Sequence, residues 1–383
     1  MENNIKSVKK LNSSILIMAI VMGLLGLFVI LTASSYLTIK NNTGNFYYFN
    51  RQAIFYGLGI LLMIIISHIN YLYYKKFAWV LYGIGIVFLI LCYVPGFSVL
   101  FNFARRGIKI GITFMPSDLM KIAAIITMSK WLITNREKFN EFWKGFIATG
   151  LIIAVPFFLI LKQPDLSTSL VFALVLGIMY LMFGFKKKFI PYIILILFLG
   201  FLLFLFLVEG YQLNRIKAWL NPEKYYQNES WQVLNSLFAV SRGGVSGVGL
   251  GKSVYKFGYL SNEVNNDMIF AVIAEEMGFI GAMLVILLYF FFVYLIMKEA
   301  MRIEDPFGKY IVFGVGLLLF IQSFVNIGVS INIIPNTGIT LPFISYGGTS
   351  LLVYYIMMGI VLNISRKNQE KLNKKLRIEE KIY

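Results

Sequence analysis

Apolar runs of about 20 residues recur along almost the whole chain, and short polar segments separate them. Each run is long enough to cross the roughly 30 Å hydrocarbon core of a membrane as one helix. The pattern predicts ten transmembrane helices, at 12–37, 53–69, 77–95, 116–134, 144–162, 166–185, 189–209, 267–297, 309–331 and 345–365. Because little is left over for a soluble domain, we expect one all-α, polytopic membrane domain over 1–383, with one long loop at 210–266.

Composition agrees with this pattern and narrows the chemistry. Hydrophobic residues make up 58% of the chain and the mean hydropathy is +0.75, whereas soluble domains are about 45–50% apolar. Cys92 is the only cysteine and His68 the only histidine. A disulfide, a thiolate metal site and a histidine-based zinc site are therefore excluded.

The basic residues predict an orientation. An even number of spans puts both termini on one side of the membrane, and most Lys and Arg residues fall on that side, as the positive-inside rule requires of the cytoplasm. The formal net charge of +17 then reflects topology and attraction to anionic lipid, and it does not indicate a nucleic-acid partner. The end of the chain, 366–383, is predicted to be a charged, solvated cytoplasmic tail.

Several basic residues break this rule, because they lie on or next to the predicted outer face. They are Arg105, Arg106, Lys109, Lys121, Arg215, Lys217, Lys224, Arg242, Lys252 and Lys256. Cations kept on the outer side indicate an anionic ligand, and arginine forks suit phosphate oxygens. The alternative is that they contact lipid headgroups.

The long loop 210–266 has internal structure in its sequence. Residues 230–241 predict a short amphipathic helix at the membrane interface. The run GLGKS (249–253) is not a phosphate-binding P-loop, since Ser246 stands where that motif needs glycine, and the glycines instead permit a tight backbone path. Asp267 stands where the next span begins, and Glu276, further along that span, is expected to be charge-paired.

Five ordered motifs resemble one family of membrane proteins, the SEDS family of FtsW, RodA and SpoVE, and the form of the glycine-rich motif is closer to FtsW and SpoVE. The motifs are FNRQAIFYGLGI (49–60), ARRGIKIGITFMPSDLMKIA (104–123), LKQPDLSTSLV (161–171), GGVSGVGLGKSVYKFGYLSNEVNNDMIFAVIAEEMGFIGA (243–282) and NTGITLPFISYGGTSLL (336–352). The chain departs from the family pattern at Asp118, Ser167 and Asn266, and it keeps the family's aspartate at Asp267.

The resemblance implies a peptidoglycan glycosyltransferase that polymerises lipid II on the outer face of the bacterial cytoplasmic membrane. The family's essential acid falls on Asp267, which would be the general base. The residues expected to bind the lipid II and the nascent glycan are Arg51, Arg105, Arg106, Lys121, Gln163, Asp165, Arg242, Lys252, Lys256, Glu263, Ser345, Gly347 and Gly348. The resemblance fixes no cofactor, and a divalent cation, Mg²⁺ or Mn²⁺, is expected as a further source of positive charge beside the basic residues.

The resemblance also implies partners: a class B penicillin-binding protein that acts as the transpeptidase, and other membrane proteins of the division or elongation machinery. Three other functions stay open from the residues alone. A lipid II flippase would use the same spans and cations, a polyprenyl-phosphosugar transferase would need acids that 38–52 lack, and a division scaffold would leave Asp267 unexplained.

Overall fold

The computed structural model is a bundle of long, mostly apolar helices. It describes residues 2–101, 104–110, 112–195, 198, 217–225, 230–260 and 264–382. The helices are α1 Glu2–Ala33, α2 Ser35–Lys40, α3 Tyr47–His68, α4 Leu72–Leu91, α5 Pro116–Thr134, α6 Ala148–Leu161, α7 Leu166–Phe183, α8 Trp231–Gly243, α9 Ile269–Arg302, α10 Pro306–Ser330 and α11 Gly348–Ile382.

Within the described residues, eight helices are long and apolar enough to cross a membrane. The predicted span 116–134 is also helical, as α5, but it carries Asp118, Lys121 and Lys130 and is mostly buried inside the bundle. Most of the predicted span 189–209 lies outside the described residues. The prediction of a polytopic helical membrane protein is confirmed, and the count of ten spans stays a prediction.

A small antiparallel sheet, which the sequence pattern did not predict, lies between α4 and α5. Its strands are β1 Ser98–Phe101, β2 Ala104–Ile110 and β3 Ile112–Phe114, in the order β1-β2-β3. Because side chains alternate along a strand, β2 leaves Arg105 and Lys109 exposed and turns Ile108 inward. Strands this short, between two spans, give too little alternation to be predicted.

The centre of the bundle is formed by α10 and α11, whereas α3 and α4 lie at its edge. About two thirds of the apolar stretch of α10 is buried, against 17% for α3. The exposed face of α3 is nevertheless apolar, with Ile54, Leu58 and Leu61 at the surface. Such a face needs lipid around it, which agrees with a membrane location.

Helix α9 is broken at Gly278, where the backbone adopts φ 65°. The loop that follows α8 lies against the break and makes four main-chain hydrogen bonds with it. The amides of Val248 and Gly249 donate to the carbonyls of residues 275 and 276, and the amides of residues 279 and 280 donate to the carbonyls of Gly244 and Val245. The sequence predicted an unbroken span here. Backbone groups that a kinked membrane helix releases must find partners, and this loop supplies them.

The predicted helix at 230–241 is confirmed as α8, and its place at the membrane interface stays a prediction. Val233, Ser236 and Ala239 are buried, and the Ser236 hydroxyl donates to the carbonyl of Ser330 at 2.7 Å. Phe238 on the other face is exposed. The helix therefore packs on α9 and α10 through small and polar residues, which an apolar pattern does not reveal.

The predicted charged tail continues α11 as a helix. As expected of a solvated tail, it exposes Glu370, Lys371, Lys374 and Lys375. Its Lys375 forms an ion pair with Glu304 at 2.7 Å, and the Asn368 amide donates to the carbonyl of Arg302 at 3.2 Å. These contacts hold the helix against the segment that joins α9 to α10.

Gly247 offers a test of the broken helix. A Cβ there would lie 2.2 Å from the carbonyl oxygen of Glu276, and its φ of 83° strains any other residue. We expect Gly247→Ala to lower the melting temperature in detergent, because strain of about 1–3 kcal/mol adds to a backbone clash.

Two matched variants separate these causes. Gly251 has φ 76° with open space around its Cβ position, so Gly251→Ala tests strain alone, and Gly177, in α7, has neither problem. From highest to lowest, the melting temperatures should follow the order Gly177→Ala, Gly251→Ala and Gly247→Ala. Equal values for the two loop variants would mean that the loop does not pack tightly on α9.

Candidate active site

Asp267 lies just before α9, and its backbone is fixed by a polar residue of α10. The Asn326 amide donates to the main-chain carbonyl of Asp267 at 2.8 Å and to that of Ile339 at 2.7 Å. The Asp267 side chain is 6% exposed, and a Cβ on Gly338 would lie 3.5 Å from its Oδ2. The carboxylate is thus held beside the start of the 336–352 motif.

The residues before Asp267 join the same motif at its other end. The Ser345 hydroxyl donates to the main-chain carbonyl of Asn266 at 2.6 Å, and the Tyr346 amide donates to that of Asn265 at 2.8 Å. Ser345 also accepts from the amide of Leu341 at 2.8 Å. Two motifs that are about 70 residues apart in the printed sequence therefore meet at the predicted catalytic residue.

The early motif reaches the same place through Gln52, a residue the sequence analysis passed over in favour of Arg51. Gln52 is 1% exposed, donates to the Ser345 carbonyl and accepts from the Gly347 amide, each at 3.3 Å. Arg51 is exposed and donates to the Tyr47 hydroxyl at 3.4 Å. Gln52 therefore organises the site, and Arg51 is the residue that remains accessible.

Lys121 is buried and paired inside the bundle. Its ammonium lies 2.9 Å from Asp118 Oδ1, and Asp118 Oδ2 accepts from the Ser350 hydroxyl. Ser350 is near the start of α11, a short distance along the chain from Ser345. Gly348 begins that helix, and a Cβ there would clash with Phe55. The chain thus connects the Lys121 pair with the Asp267 segment.

Arg106 connects the small sheet with the start of α7. It lies 3.7 Å from Asp165 Oδ2 and donates to the carbonyl of Pro164 at 2.6 Å. Asp165 also caps α7 by accepting from the Thr168 amide at 3.1 Å. The buried Gln163 donates to the carbonyl of Leu89 at 3.0 Å. Gln163 and Asp165 were predicted to bind the substrate. In the structure, their side chains make these contacts within the protein instead.

Two ion pairs join α8 and the loop that follows it, 244–260, to α9. Arg242 pairs with Glu275 at 2.7 Å, and Glu275 also accepts from the Ser253 hydroxyl. Lys256 is 0% exposed and pairs with Glu276 at 2.9 Å. The expectation that Glu276 is charge-paired in the interior is confirmed.

Lys256 was predicted to bind the substrate, but it is buried and not accessible to a ligand. Its ammonium donates to Glu276, to the carbonyl of Thr32 at 3.0 Å and to that of Gly251 at 2.8 Å. An ammonium has three protons, so all of them are used. The sequence could not distinguish this buried lysine from the exposed Lys252 four residues earlier.

The cations that stay accessible are fewer than the sequence suggested. Among the basic residues named from the sequence, those that are exposed and form no ion pair with the described residues are Arg51, Arg105, Lys109, Lys217, Lys224 and Lys252. Glu263 and Arg215 lie outside the described residues.

Four residues of the site were not predicted from the sequence: Gln52, Asp118, Asn326 and Ser350. The signal that could have found them is a polar side chain in or beside an apolar helix.

The described residues do not form a cage for a resident metal ion. They contain no group of three or more His, Cys, Asp or Glu side chains that could hold one. Mg²⁺ and Mn²⁺ prefer several oxygen ligands, often shared with substrate phosphates. The divalent cation therefore stays a prediction, since an ion shared with substrate phosphates needs only one or two protein carboxylates.

Comparisons with known proteins identify the family. Residues 12–370 match the model of the family described as cell cycle protein, that of FtsW, RodA and SpoVE. The chain is 34% identical to the probable peptidoglycan glycosyltransferase FtsW of Geobacter metallireducens over 95% of this chain and 97% of that protein. It is also 34% identical to the stage V sporulation protein E of Bacillus subtilis, over 94% and 98%.

Solved structures share the fold. One is described as showing structural coordination of polymerization and crosslinking by a peptidoglycan synthase complex, with a TM-score of 0.74, 22% identity and coverage of 94% of this chain and 97% of that one. Another is the rod shape determining protein RodA of Thermus thermophilus, with a TM-score of 0.68, 22% identity and coverage of 93% and 96%. The chain therefore belongs to the FtsW, RodA and SpoVE family.

Proposed function

We propose that this chain polymerises lipid II into glycan strands at the outer face of the bacterial cytoplasmic membrane, with Asp267 as the general base. The protein is a multi-pass membrane protein and a peptidoglycan glycosyltransferase, the activity in the names of its FtsW relatives. The observation that supports the residue assignment is the position of Asp267, a carboxylate whose backbone is held by Asn326 where the segments 264–268 and 336–347 meet.

In this reaction the 4-hydroxyl of the acceptor N-acetylglucosamine attacks the anomeric carbon of the donor glycan. A new carbon–oxygen bond forms, the bond to the undecaprenyl pyrophosphate breaks, and the pyrophosphate leaves with the electron pair. Asp267 takes the hydroxyl proton as the nucleophile attacks. Because hydrogen bonds fix the backbone of Asp267, its carboxylate needs little reorganisation before it accepts the proton.

The departing pyrophosphate needs positive charge around it. Arg51, Arg105 and Lys252 are proposed for this role, since they are exposed and have no ion pair with the described residues. Lys121, Arg106, Arg242 and Lys256 are paired with carboxylates, and they are proposed to hold the site in shape. A pyrophosphate is a good leaving group, so no second carboxylic acid is required to protonate it.

A flippase would need polar groups along a path through the bundle, and the central polar side chains are used otherwise. Gln322 accepts from the Tyr354 hydroxyl at 2.9 Å. Asn326 holds Asp267, and Glu275 and Glu276 are in ion pairs. These contacts favour the polymerase over the flippase.

A crosslinking partner follows from the chemistry of the product. Glycan strands become a wall only after transpeptidation, and one solved structure with this fold is described as part of a complex that coordinates polymerization and crosslinking. We therefore propose a class B penicillin-binding protein, together with other membrane proteins of the division or elongation machinery, as partners.

Asp267→Asn should abolish polymerisation, because the amide keeps the shape of the side chain and loses its basicity. The expected loss is at least about 100-fold, the lower end for a general base. The measurement is the rate of glycan formation from labelled lipid II by purified protein with its transpeptidase. Glu370→Gln, which changes an exposed tail carboxylate, is the control and should be as active as wild type. A wild-type rate in the asparagine variant would refute the base assignment.

Lys252 and Lys256 should respond differently to alanine substitution. Lys256→Ala leaves Glu276 buried without its partner, which costs roughly 3–5 kcal/mol, so the melting temperature should fall. Lys252→Ala should leave stability unchanged and should weaken the use of limiting lipid II by roughly 10-fold, since a charge-assisted contact to phosphate is lost.

Replacing both partners of the buried pair, as in Lys256→Met with Glu276→Gln, should recover stability that the single change loses. Wild-type kinetics in Lys252→Ala would show that this lysine does not bind the pyrophosphate. Wild-type stability in Lys256→Ala would mean that the buried pair does not hold the loop.

Cysteine labelling tests the proposed orientation. In a Cys92→Ser background, an impermeant maleimide added to intact cells should label Leu250→Cys and should not label Lys187→Cys, since both positions are exposed at the protein surface and are predicted to lie on opposite sides. The reverse pattern would put Asp267 on the cytoplasmic side and would overturn the proposed site of polymerisation.

A further inference from the structure

A cavity of about 290 Å³ lies beside the residues that precede Asp267. Its walls come from the end of α2, the start of α3, the segment before α9 and the residue before Gly347. Lys40, Asn41, Tyr48, Asn265 and Tyr346 are among the side chains that line it. The sequence analysis named none of these as site residues.

Asn265 is the unusual member of this wall. It is 2% exposed, and neither Oδ1 nor Nδ2 of its side chain has a hydrogen-bond partner among the described residues. Its main-chain carbonyl, in contrast, accepts from the Tyr346 amide at 2.8 Å. Buried polar atoms are nearly always paired, so an amide left with both a free donor and a free acceptor on a cavity wall indicates a ligand that supplies both partners.

The other walls suit a sugar. Tyr48 and Tyr346 pack edge to face with ring centroids 5.3 Å apart, and the Asn41 amide donates to the Tyr48 hydroxyl at 2.7 Å. This leaves apolar ring surface and oriented polar groups side by side, as in many small-molecule sites. The volume is near the lower end of the usual ~300–1,000 Å³, so it suits one sugar ring better than a disaccharide.

We propose that this cavity binds the acetamido group of the acceptor sugar and that Asn265 determines specificity for it. The acetamido carbonyl accepts from Asn265 Nδ2, and the neighbouring ring hydroxyl donates to Oδ1. This inference rests on the proposed function, which supplies the acceptor N-acetylglucosamine.

The backbone explains how such binding would serve the reaction. Asn265 and Asp267 are two residues apart, and each has its main-chain carbonyl held by a hydrogen bond, from Tyr346 and from Asn326. Asn266, the residue between them, also lines the cavity. A sugar held at Asn265 therefore lies beside the chain segment that carries the Asp267 carboxylate.

The test compares two substrates with wild type and Asn265→Ala. One is lipid II, and the other is lipid II in which a hydroxyl replaces the acetamido group of the N-acetylglucosamine only, so that no charge is introduced. Wild type should prefer the natural substrate by roughly 10-fold or more in kcat/KM. Asn265→Ala should lose this preference, mainly through a higher KM for the natural substrate. Asn265→Asp, which keeps the shape and removes the donor, should lose it as well.

Stability gives a second readout. Because Asn265 has buried polar atoms without protein partners, Asn265→Ala should melt at the same temperature as wild type or higher, as expected for a residue kept for binding. A lower melting temperature together with an intact substrate preference would overturn the proposal, since Asn265 would then have a structural role.

A binding measurement separates this inference from the proposed function. The affinity of both lipids is measured for Asp267→Asn, with and without Asn265→Ala. In one outcome, wild type makes no polymer, Asp267→Asn binds the natural lipid more tightly than the altered one, and Asn265→Ala removes that difference. The subsite would then stand and the proposed function would fail. If wild type polymerises both lipids equally well, and Asn265→Ala changes nothing, the subsite is wrong and the polymerase remains.

Discussion

The break in α9 at Gly278 is the feature on which the rest of the site depends. Four main-chain hydrogen bonds join the loop after α8 to the helix on both sides of the break. In a membrane, backbone groups without partners cost several kcal/mol each, so the loop cannot leave the helix without a large penalty. Gly247 and Gly278 allow this contact because a side chain at either position would meet main-chain atoms within 2.3 Å.

Once the loop is held, the charges near it follow. Glu275 and Glu276 lie just before the break, where their side chains reach Arg242 and Lys256 of the loop region. Buried carboxylates require such partners. The result is that basic residues of similar appearance in the sequence have two different roles: those with a carboxylate opposite them hold the loop, and those without one, such as Lys252, remain available to an anion.

Asp267 is positioned by polar side chains that the helices carry at isolated positions. Asn326 on α10 and Gln52 on α3 each connect two segments by donating to or accepting from main-chain groups. Each sits in a mostly apolar helix, where an unpaired amide would be costly. Such residues therefore bring distant motifs together, and the pairing fixes the backbone at the reactive carboxylate.

The amino-acid sequence by itself determined the class of fold, the approximate helices and the family, because apolar length and ordered motifs are local properties. It predicted the pairing of Glu276, since a carboxylate in an apolar span needs a cation. Only the tertiary structure decided which cation it meets, that Lys256 is buried while Lys252 is exposed, that α9 is broken, and that Asn265 lines a cavity. Those outcomes depend on contacts between segments far apart in the chain. The sequence pattern within a single segment does not predict such contacts.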